Sequence, residues 1–345
     1  MRIVLDAMGS DDCPGPEVQA AVEAAQQYGE EIILVGPEDQ LASRLQALAP
    51  QGVAVRLVHA PDIITMKDKG LGLALKAKRK GSKTSMAVGM DLVKEGQADA
   101  FVTAGNTGGA MATAFYRLGT IPGVERPALT GLFPVKDGFC AVLDIGANPE
   151  CKAEHLLQFA VMGSIYADKV RHISTPRVGL LSNGEEPGKG NDLVKEAYTL
   201  LETSGLNFIG NVEGKELFGG EADVVVTDGF TGNVLLKGSE AVAKLLVDVL
   251  RQEMTSSLRT KIGALLAKPA FGKLKAMLDP AEVGAAPLLG IDGLVLVGHG
   301  RSDARAMLGA IRTARLAVQA DLLGALKTAI QERLAELPQT PKEKE

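Results

Sequence analysis

The chain reads as a three-layer α/β fold, a mixed and mainly parallel sheet with helices on both faces. Three observations predict it. Short apolar runs alternate with helical stretches along almost all of the 345 residues, and strand–helix–strand repetition builds parallel sheets with right-handed crossovers. Apolar residues make up 46% of the chain and are Ala, Val, Leu and Ile far more than aromatics, with no Trp, as suits strands buried on both faces. Forty glycines recur after apolar runs, where a strand must turn tightly into a helix.

The elements follow in order. Residues 2–6 (RIVLD) form an immediate strand, followed by a helical stretch at 17–27, a strand at 31–35 (EIILV) and a helix at 38–48. A strand at 53–58 and a helix at 85–95 lead to a strand at 99–103, a Gly-rich turn and an Ala-rich helical stretch. The runs 128–134 and 139–145, joined by the short turn VKDG, predict an antiparallel hairpin, which makes the sheet mixed. Helices at 153–168, 191–203 and 234–253 then alternate with strands at 177–181, 207–210, 222–227 and 293–297. With no repeat, Ser-rich linker or low-complexity tract, residues 1–337 read as one large unit with an amphipathic helical insertion at about 255–278. Residues 338–345 read as a polar tail that frays.

Bulk properties exclude several classes. A net charge of −5 argues against a general nucleic-acid binder. Cys13, Cys140 and Cys151 show no CxxC spacing, so neither a zinc knuckle nor a disulfide framework is expected. The start MRIVLDAMGS lacks a basic region followed by an apolar one, and no apolar run approaches the roughly 20 residues of a membrane span, so neither a signal peptide nor a span is expected.

In open α/β sheets ligands bind beyond the carboxyl ends of strands. Six loops fall there: DAMGSDDCPGP (6–16), TAGNTGG (103–109), DIGANPE (144–150), SNGEEPGKGN (182–191), TDGFTGN (227–233) and GHGRSD (298–303). None carries the dinucleotide fingerprint, and Val35-Gly36-Pro37 stands where its ribose-binding acid belongs. No G-x-x-x-x-G-K-[ST] occurs either. What remains is a cleft of small polar loops and helix N-termini, suited to an anion without an adenosine attached.

Taken in order, DAMGSD, AGNTGG, RPAL (126–129), LDIGAN (143–148), GEEPGKGN (184–191), GNVEG (210–214), TDGFTGNVLLK (227–237), GAAPLLGIDG (284–293) and GHGRSD resemble the PlsX family of acyl-acyl-carrier-protein:phosphate acyltransferases, from residue 1 to about 320. The resemblance implies a Rossmann-like fold similar to the phosphotransacetylase and isocitrate dehydrogenase-like group. It also implies transfer of a fatty acyl group from acyl carrier protein to inorganic phosphate, without a cofactor. A homodimer is implied too, together with work alongside the membrane acyltransferase PlsY in phospholipid synthesis.

Such a reaction needs phosphate stripped of water and held in line, and a tetrahedral oxyanion stabilised. On that expectation Lys189 neutralises charge, and Asn106, Thr107 and the Gly105–Gly108 backbone hold phosphate. Asn233 and His299 serve the oxyanion or protonate the leaving thiolate. Asp6, Gly9, Asn148, Asn183, Asp228 and Gly232 complete the candidate phosphate and acyl site. Structural alternatives stand beside these roles: Asn106 and Asn233 as helix N-caps, Lys189 as a loop charge, His299 as a turn residue. His155 is expected to be structural, and His59 and His172 to lie on the surface. Asp6, Asp144 and Asp228 end strands without metal-ligand spacing, and no metal is expected. Cys13 and Cys151 lie near site loops, but direct attack by phosphate is favoured over an acyl-cysteine.

Two basic segments complete the expectations. Lys76, Lys78, Arg79, Lys80 and Lys83 form a landing patch for the acidic carrier, with a merely solvated helix face as the alternative. In the second, Leu258, Ile262, Leu265 and Leu266 share a helix face, as do Phe271, Leu274, Met277 and Leu278 after Pro269. Arg259, Lys261, Lys268, Lys273 and Lys275 flank them. This amphipathic segment suits either an anionic membrane surface or a dimer interface, which places the protein in the cytoplasm at the inner face of the membrane. Two rival readings are a phosphate-binding dehydrogenase, which lacks a visible nucleotide site, and a membrane-docked carrier scaffold, which leaves the six loops unexplained.

Overall fold

The computed structural model describes residues 1–50, 52–278 and 284–336. Its strands are β1 (Arg2–Asp6), β2 (Glu31–Gly36), β3 (Val55–His59), β4 (Ala100–Thr103), β5 (Ala128–Val135), β6 (Gly138–Leu143), β7 (Val178–Leu181), β8 (Phe208–Val212), β9 (Val224–Val226), β10 (Ala286–Leu289) and β11 (Val295–Val297). They form one eleven-stranded sheet in the order β3-β2-β1-β4-β11-β10-β5-β6-β9-β7-β8.

Strand side chains alternate between two cores, as a period of two requires. Ile3, Leu5, Ala141, Leu143, Val224 and Val226 face one layer, whereas Val4, Cys140, Val142 and Val225 face the other. The first layer holds α1 (Gly15–Tyr28), α2 (Glu38–Leu48), α6 (Ala153–Arg171), α7 (Asp192–Glu202), α12 (Ala304–Gln319) and α13 (Leu322–Glu336). The second holds α3 (Gly70–Lys78), α4 (Ser85–Lys94), α5 (Thr107–Arg117), α8 (Gly214–Gly219) and the start of α9 (Gly229–Thr255). Burying each Ile, Leu or Val in either core contributes about 1.5–3 kcal/mol before entropy is counted. The three-layer mixed sheet expected from the sequence is present.

Most strands sit within two residues of their expected places, and β5 and β6 pair antiparallel from Thr130–Leu143 to Val135–Gly138, as the VKDG turn implied. β10 is the strand that the sequence hid. Its Pro287 cannot donate to a ladder, which argues against a central strand, yet β10 pairs antiparallel with both β11 and β5. α9 begins five residues earlier than expected because Asp228 caps it, accepting from Thr231 N at 2.8 Å.

Strand direction settles where the six loops lie. β1, β2, β3, β4 and β11 are mutually parallel, as are β6, β7, β8 and β9. The antiparallel joints β11–β10, β10–β5 and β5–β6 turn the second set against the first. The loops after β1, β4 and β11 therefore leave one end of the sheet, and those after β6, β7 and β9 leave the opposite end.

Residues 255–278 continue α9 into α10 (Leu258–Leu266), which is capped by Ser257, and α11 (Lys268–Leu278). Among the described residues nothing covers α10: Leu258, Ile262, Leu265 and Leu266 are each more than half exposed. Phe271 is half-buried, and the side chain of Leu274 lies outside the described residues, as does the tail at 338–345. No helix among the described residues is long and apolar enough to cross a membrane.

Candidate active site

At the first end of the sheet, the turn after β1 packs directly on the turn after β4. A Cβ on Gly9 would stand 2.8 Å from Gly105 N and 2.9 Å from Ala104 N, so only glycine allows this approach. The Asp6 carboxyl is buried beneath and accepts from Met8 N and Thr103 Oγ1, while Thr103 Oγ1 accepts in turn from Gly105 N. The third loop joins through Asp11 N, which donates to Gly300 O at 2.8 Å.

Asn106 is fully occupied here. Its Oδ1 caps α5 by accepting from Gly109 N, and its Nδ2 donates to Thr65 O and Asp68 O. Thr107 and Gly108 are exposed in the first turn of α5. His299 accepts from Arg301 N at Nδ1, and its carbonyl accepts from Ser302. This is the geometry of a turn residue.

Glu17, which the sequence reading passed over, lies fully buried behind the β1 turn. One carboxyl oxygen accepts from Ser10 N at 2.9 Å, and the other has no partner among the described residues. Burial pushes its pKa up, and the nearby Asp6 adds to the rise; burial also raises Asp6. A raised carboxyl pKa means the folded state holds a proton that the unfolded chain has released. Stability therefore falls as pH rises from the ordinary Glu range through the folded pKa. Glu17→Gln keeps the acceptor for Ser10 and removes the charge. It is expected to raise the melting temperature by about 2 °C or more at pH 8 and to change it little at pH 4. Equal shifts at both pH values would show that charge is not the cause.

The second end of the sheet is organised by Asp144. Its carboxylate accepts from Leu129 N, Gly146 N, Ala147 N, Asn148 N and Asn148 Nδ2. Burial lifts its pKa, and the Ala147, Gly146 and Asn148 donors oppose that rise. Asn148 also donates to Pro127 O and accepts from Gly229 N, which fixes the start of α9. Gly232 packs so closely that a Cβ there would overlap the Asp144 carbonyl.

Asn233 Nδ2 donates to Ile145 O at 3.0 Å, so one of its two amide hydrogens remains for a ligand. Asp228 is committed to Thr231, accepting from both its N and Oγ1. Lys189 is exposed between Gly188 and Gly190, whose positive φ values of 90° and 93° bend the loop, and its stem lies over Gly184. Asn183 is exposed on the same loop. The starts of α6, α7 and α9 border an open cavity of about 300 Å³ lined by Pro149, Glu150, Cys151, Asn191, Leu193, Asp228, Phe230 and Thr231.

The structure thus brings Lys189, Asn183, Asn148, Asp228, Gly232 and Asn233 to one end of the sheet. Asp6, Gly9, Gly105, Asn106, Thr107, Gly108 and His299 lie at the other. This is a correction to the single cleft expected from the loops, and its cause is the reversal of strand direction across β10 and β5. Burial raises the Cys151 thiol, and Arg126 of the RPAL motif lies near enough to oppose part of that rise; it makes no ion pair among the described residues.

All three thiols are pushed up by burial, Cys13 to about 11 and Cys140 and Cys151 to about 12, so none is a thiolate at neutral pH. His155 is structural, as expected. It accepts from Lys152 N at Nδ1 and meets Glu125 through Nε2 at 3.1 Å. Glu185, Glu213 and Glu216 bring carboxylate oxygens within 4.8 Å of one another. Lys215 Nζ, 3.0 Å from Glu216 and 3.8 Å from Glu185, supplies the positive charge there.

The fold has counterparts among solved structures. A phosphotransacetylase from Streptococcus pyogenes aligns with a TM-score of 0.59 at 18% identity, covering 93% of this chain and 94% of its own. The EutD phosphotransacetylase of Staphylococcus aureus aligns at 0.55 and 18%, with the same coverage. Closer in sequence is a protein named phosphate acyltransferase from Pelotomaculum thermopropionicum, 46% identical over 96% of this chain and 95% of its own length. One of the same name from Acidobacterium capsulatum is 48% identical over 90% of this chain and 92% of its own. By class, the protein is an acyltransferase built on the phosphotransacetylase fold. A family model described as fatty acid synthesis protein matches residues 1–324, and the chain belongs to that family.

Proposed function

We propose that the protein transfers a fatty acyl group from acyl carrier protein to inorganic phosphate, giving an acyl phosphate for phospholipid synthesis. A phosphate oxygen attacks the thioester carbonyl and forms the new C–O bond. The tetrahedral oxyanion collapses, the C–S bond breaks, and the carrier thiolate leaves and takes up a proton. Phosphate is already anionic near neutral pH, so the protein needs to supply charge neutralisation, position and an oxyanion donor more than a strong base.

The observation that carries this reading is the cavity at the starts of α6, α7 and α9. Asn191 on its wall lies two residues from Lys189, and Thr231 lies two residues from Asn233. Lys189 offsets the phosphate charge, and the spare Asn233 amide hydrogen serves the oxyanion. The raised thiol pKa values favour direct attack over an acyl-cysteine. Incubation with acyl carrier thioester and phosphate should yield free carrier and hydroxylamine-reactive acyl phosphate together. Carrier release that continues without phosphate would overturn the reading.

Three associations extend it. Lys78, Arg79, Lys80 and Lys83 are exposed in and beside α3, and Lys76 is held by Asp68 at 2.7 Å. α3 packs on the start of α5 at the first end of the sheet, so a carrier landed on them serves the cavity of a second copy and not the one in the same chain. Val242, Leu245, Leu246 and Val249 make an exposed stripe at helical spacing on α9, which a second copy covers in a homodimer; mass in solution tests this. The α10 face meets the cytoplasmic leaflet, delivering product toward a membrane acyltransferase such as PlsY, and failure to float with anionic vesicles at low salt would remove that role.

A further inference from the structure

We propose that the cavity at the starts of α6, α7 and α9 receives the thiol-proximal, amide-bearing end of the carrier's flexible arm, which places the thioester between Lys189 and Asn233. The proposal rests on the acyl-carrier reading above and assigns that substrate a subsite.

Size selects the occupant first. At roughly 30 Å³ for each water-sized group, about 300 Å³ holds about ten such groups, at the small end of ligand pockets. Two methylene pairs joined by an amide and ending in sulfur match that volume, and the open mouth leaves the rest of the arm outside.

Charge selects next. Glu150 and Asp228 are on the wall, and no Lys or Arg is. A phosphate or fatty carboxylate placed there would meet two carboxylates of the wall itself, with Arg126 acting only from outside the lining, whereas the thiol end of the arm is uncharged. The polar atoms then match amides. Asn191 spends its Oδ1 on Val194 N, which leaves its Nδ2 hydrogens for a ligand carbonyl. Thr231 spends its hydroxyl hydrogen on Asp228 Oδ2 and keeps oxygen lone pairs for a ligand N–H. Pro149, Leu193 and Phe230 supply apolar wall for the methylenes, and the Phe230 ring is 66% exposed at the rim. Cys151 Sγ donates to Asn148 O at 3.5 Å, so this thiol is engaged with the wall.

The test fills the cavity while leaving Lys189 and Asn233 in place. Leu193→Trp is expected to raise the KM for acyl carrier thioester by about tenfold or more. The KM for S-acyl pantetheine should rise in proportion, with the KM for phosphate within about twofold and kcat retained. Should Leu193→Trp fail to fold, Asn191→Ser keeps a helix cap and removes the amide donor; its expected rise in carrier KM is about three- to tenfold. An unchanged carrier KM in the folded variant overturns the proposal, and so does a parallel rise in the KM for phosphate. Saturation-transfer NMR with free pantetheine reads the subsite without turnover. Contact in the wild type and its loss in Leu193→Trp support the subsite even if no acyl phosphate forms, in which case the functional reading alone falls.

Discussion

Asp144→Ala is expected to lower the unfolding free energy by about 3–5 kcal/mol and to abolish turnover. The side chain is 0% exposed and gathers five N–H groups drawn from Leu129 of β5, Gly146 and Ala147 of the loop after β6, and Asn148. Each buried donor left without an acceptor costs about 1–3 kcal/mol, and water entering the space recovers only part of that sum. The functional loss has a separate route. Asn148, held by Asp144, accepts from Gly229 N and so sets the start of α9, where Asn233 lies. Urea unfolding reads the first effect. Turnover measured at a temperature where the variant is still folded reads the second, and wild-type turnover there would refute the link from Asp144 to α9.

Lys189→Met should behave in the opposite manner, leaving stability unchanged and lowering turnover by about 10²–10³-fold. Lys189 is exposed, and its ammonium forms no ion pair among the described residues, so folding loses little when it goes. The reaction loses a positive charge two residues from Asn191 on the wall of the cavity. Positive charge aimed at an anion whose bonds are rearranging acts on the transition state directly, which is why the loss belongs in turnover. A thermal melt and a phosphate-dependent rate measured on the same sample check both halves. Full turnover would transfer the charge role to another residue, with Arg126, which acts on Cys151 of the cavity wall, the first to test.

Periodicity and loop composition made much of this legible. The βα alternation, the 128–145 hairpin and the Asn106 cap could all be read from spacing, because each is local. β10 could not, since a four-residue run broken by Pro287 becomes a strand only when β5 and β11 lie on either side of it. Missing that strand also hid the change of direction across the sheet, so six similar loops looked like one cleft. Glu17 was invisible for a related reason. Its sequence neighbourhood resembles an ordinary acidic helix start, and only the packing of the β1 turn against the β4 turn seals it from water. The chemistry of the loops was readable residue by residue, but their grouping was a property of topology.

The position of β10 and β11 also sets the order in which the molecule can be completed on the ribosome. These strands come from residues 286–297 but lie between β4 and β5, both made before residue 136. Until the late segment emerges, the nascent chain carries two open strand edges that will later be joined. Open edges of this kind invite pairing with other chains. The nascent chain is therefore open to such pairing until residues 286–297 emerge, and these two late strands act as the keystone.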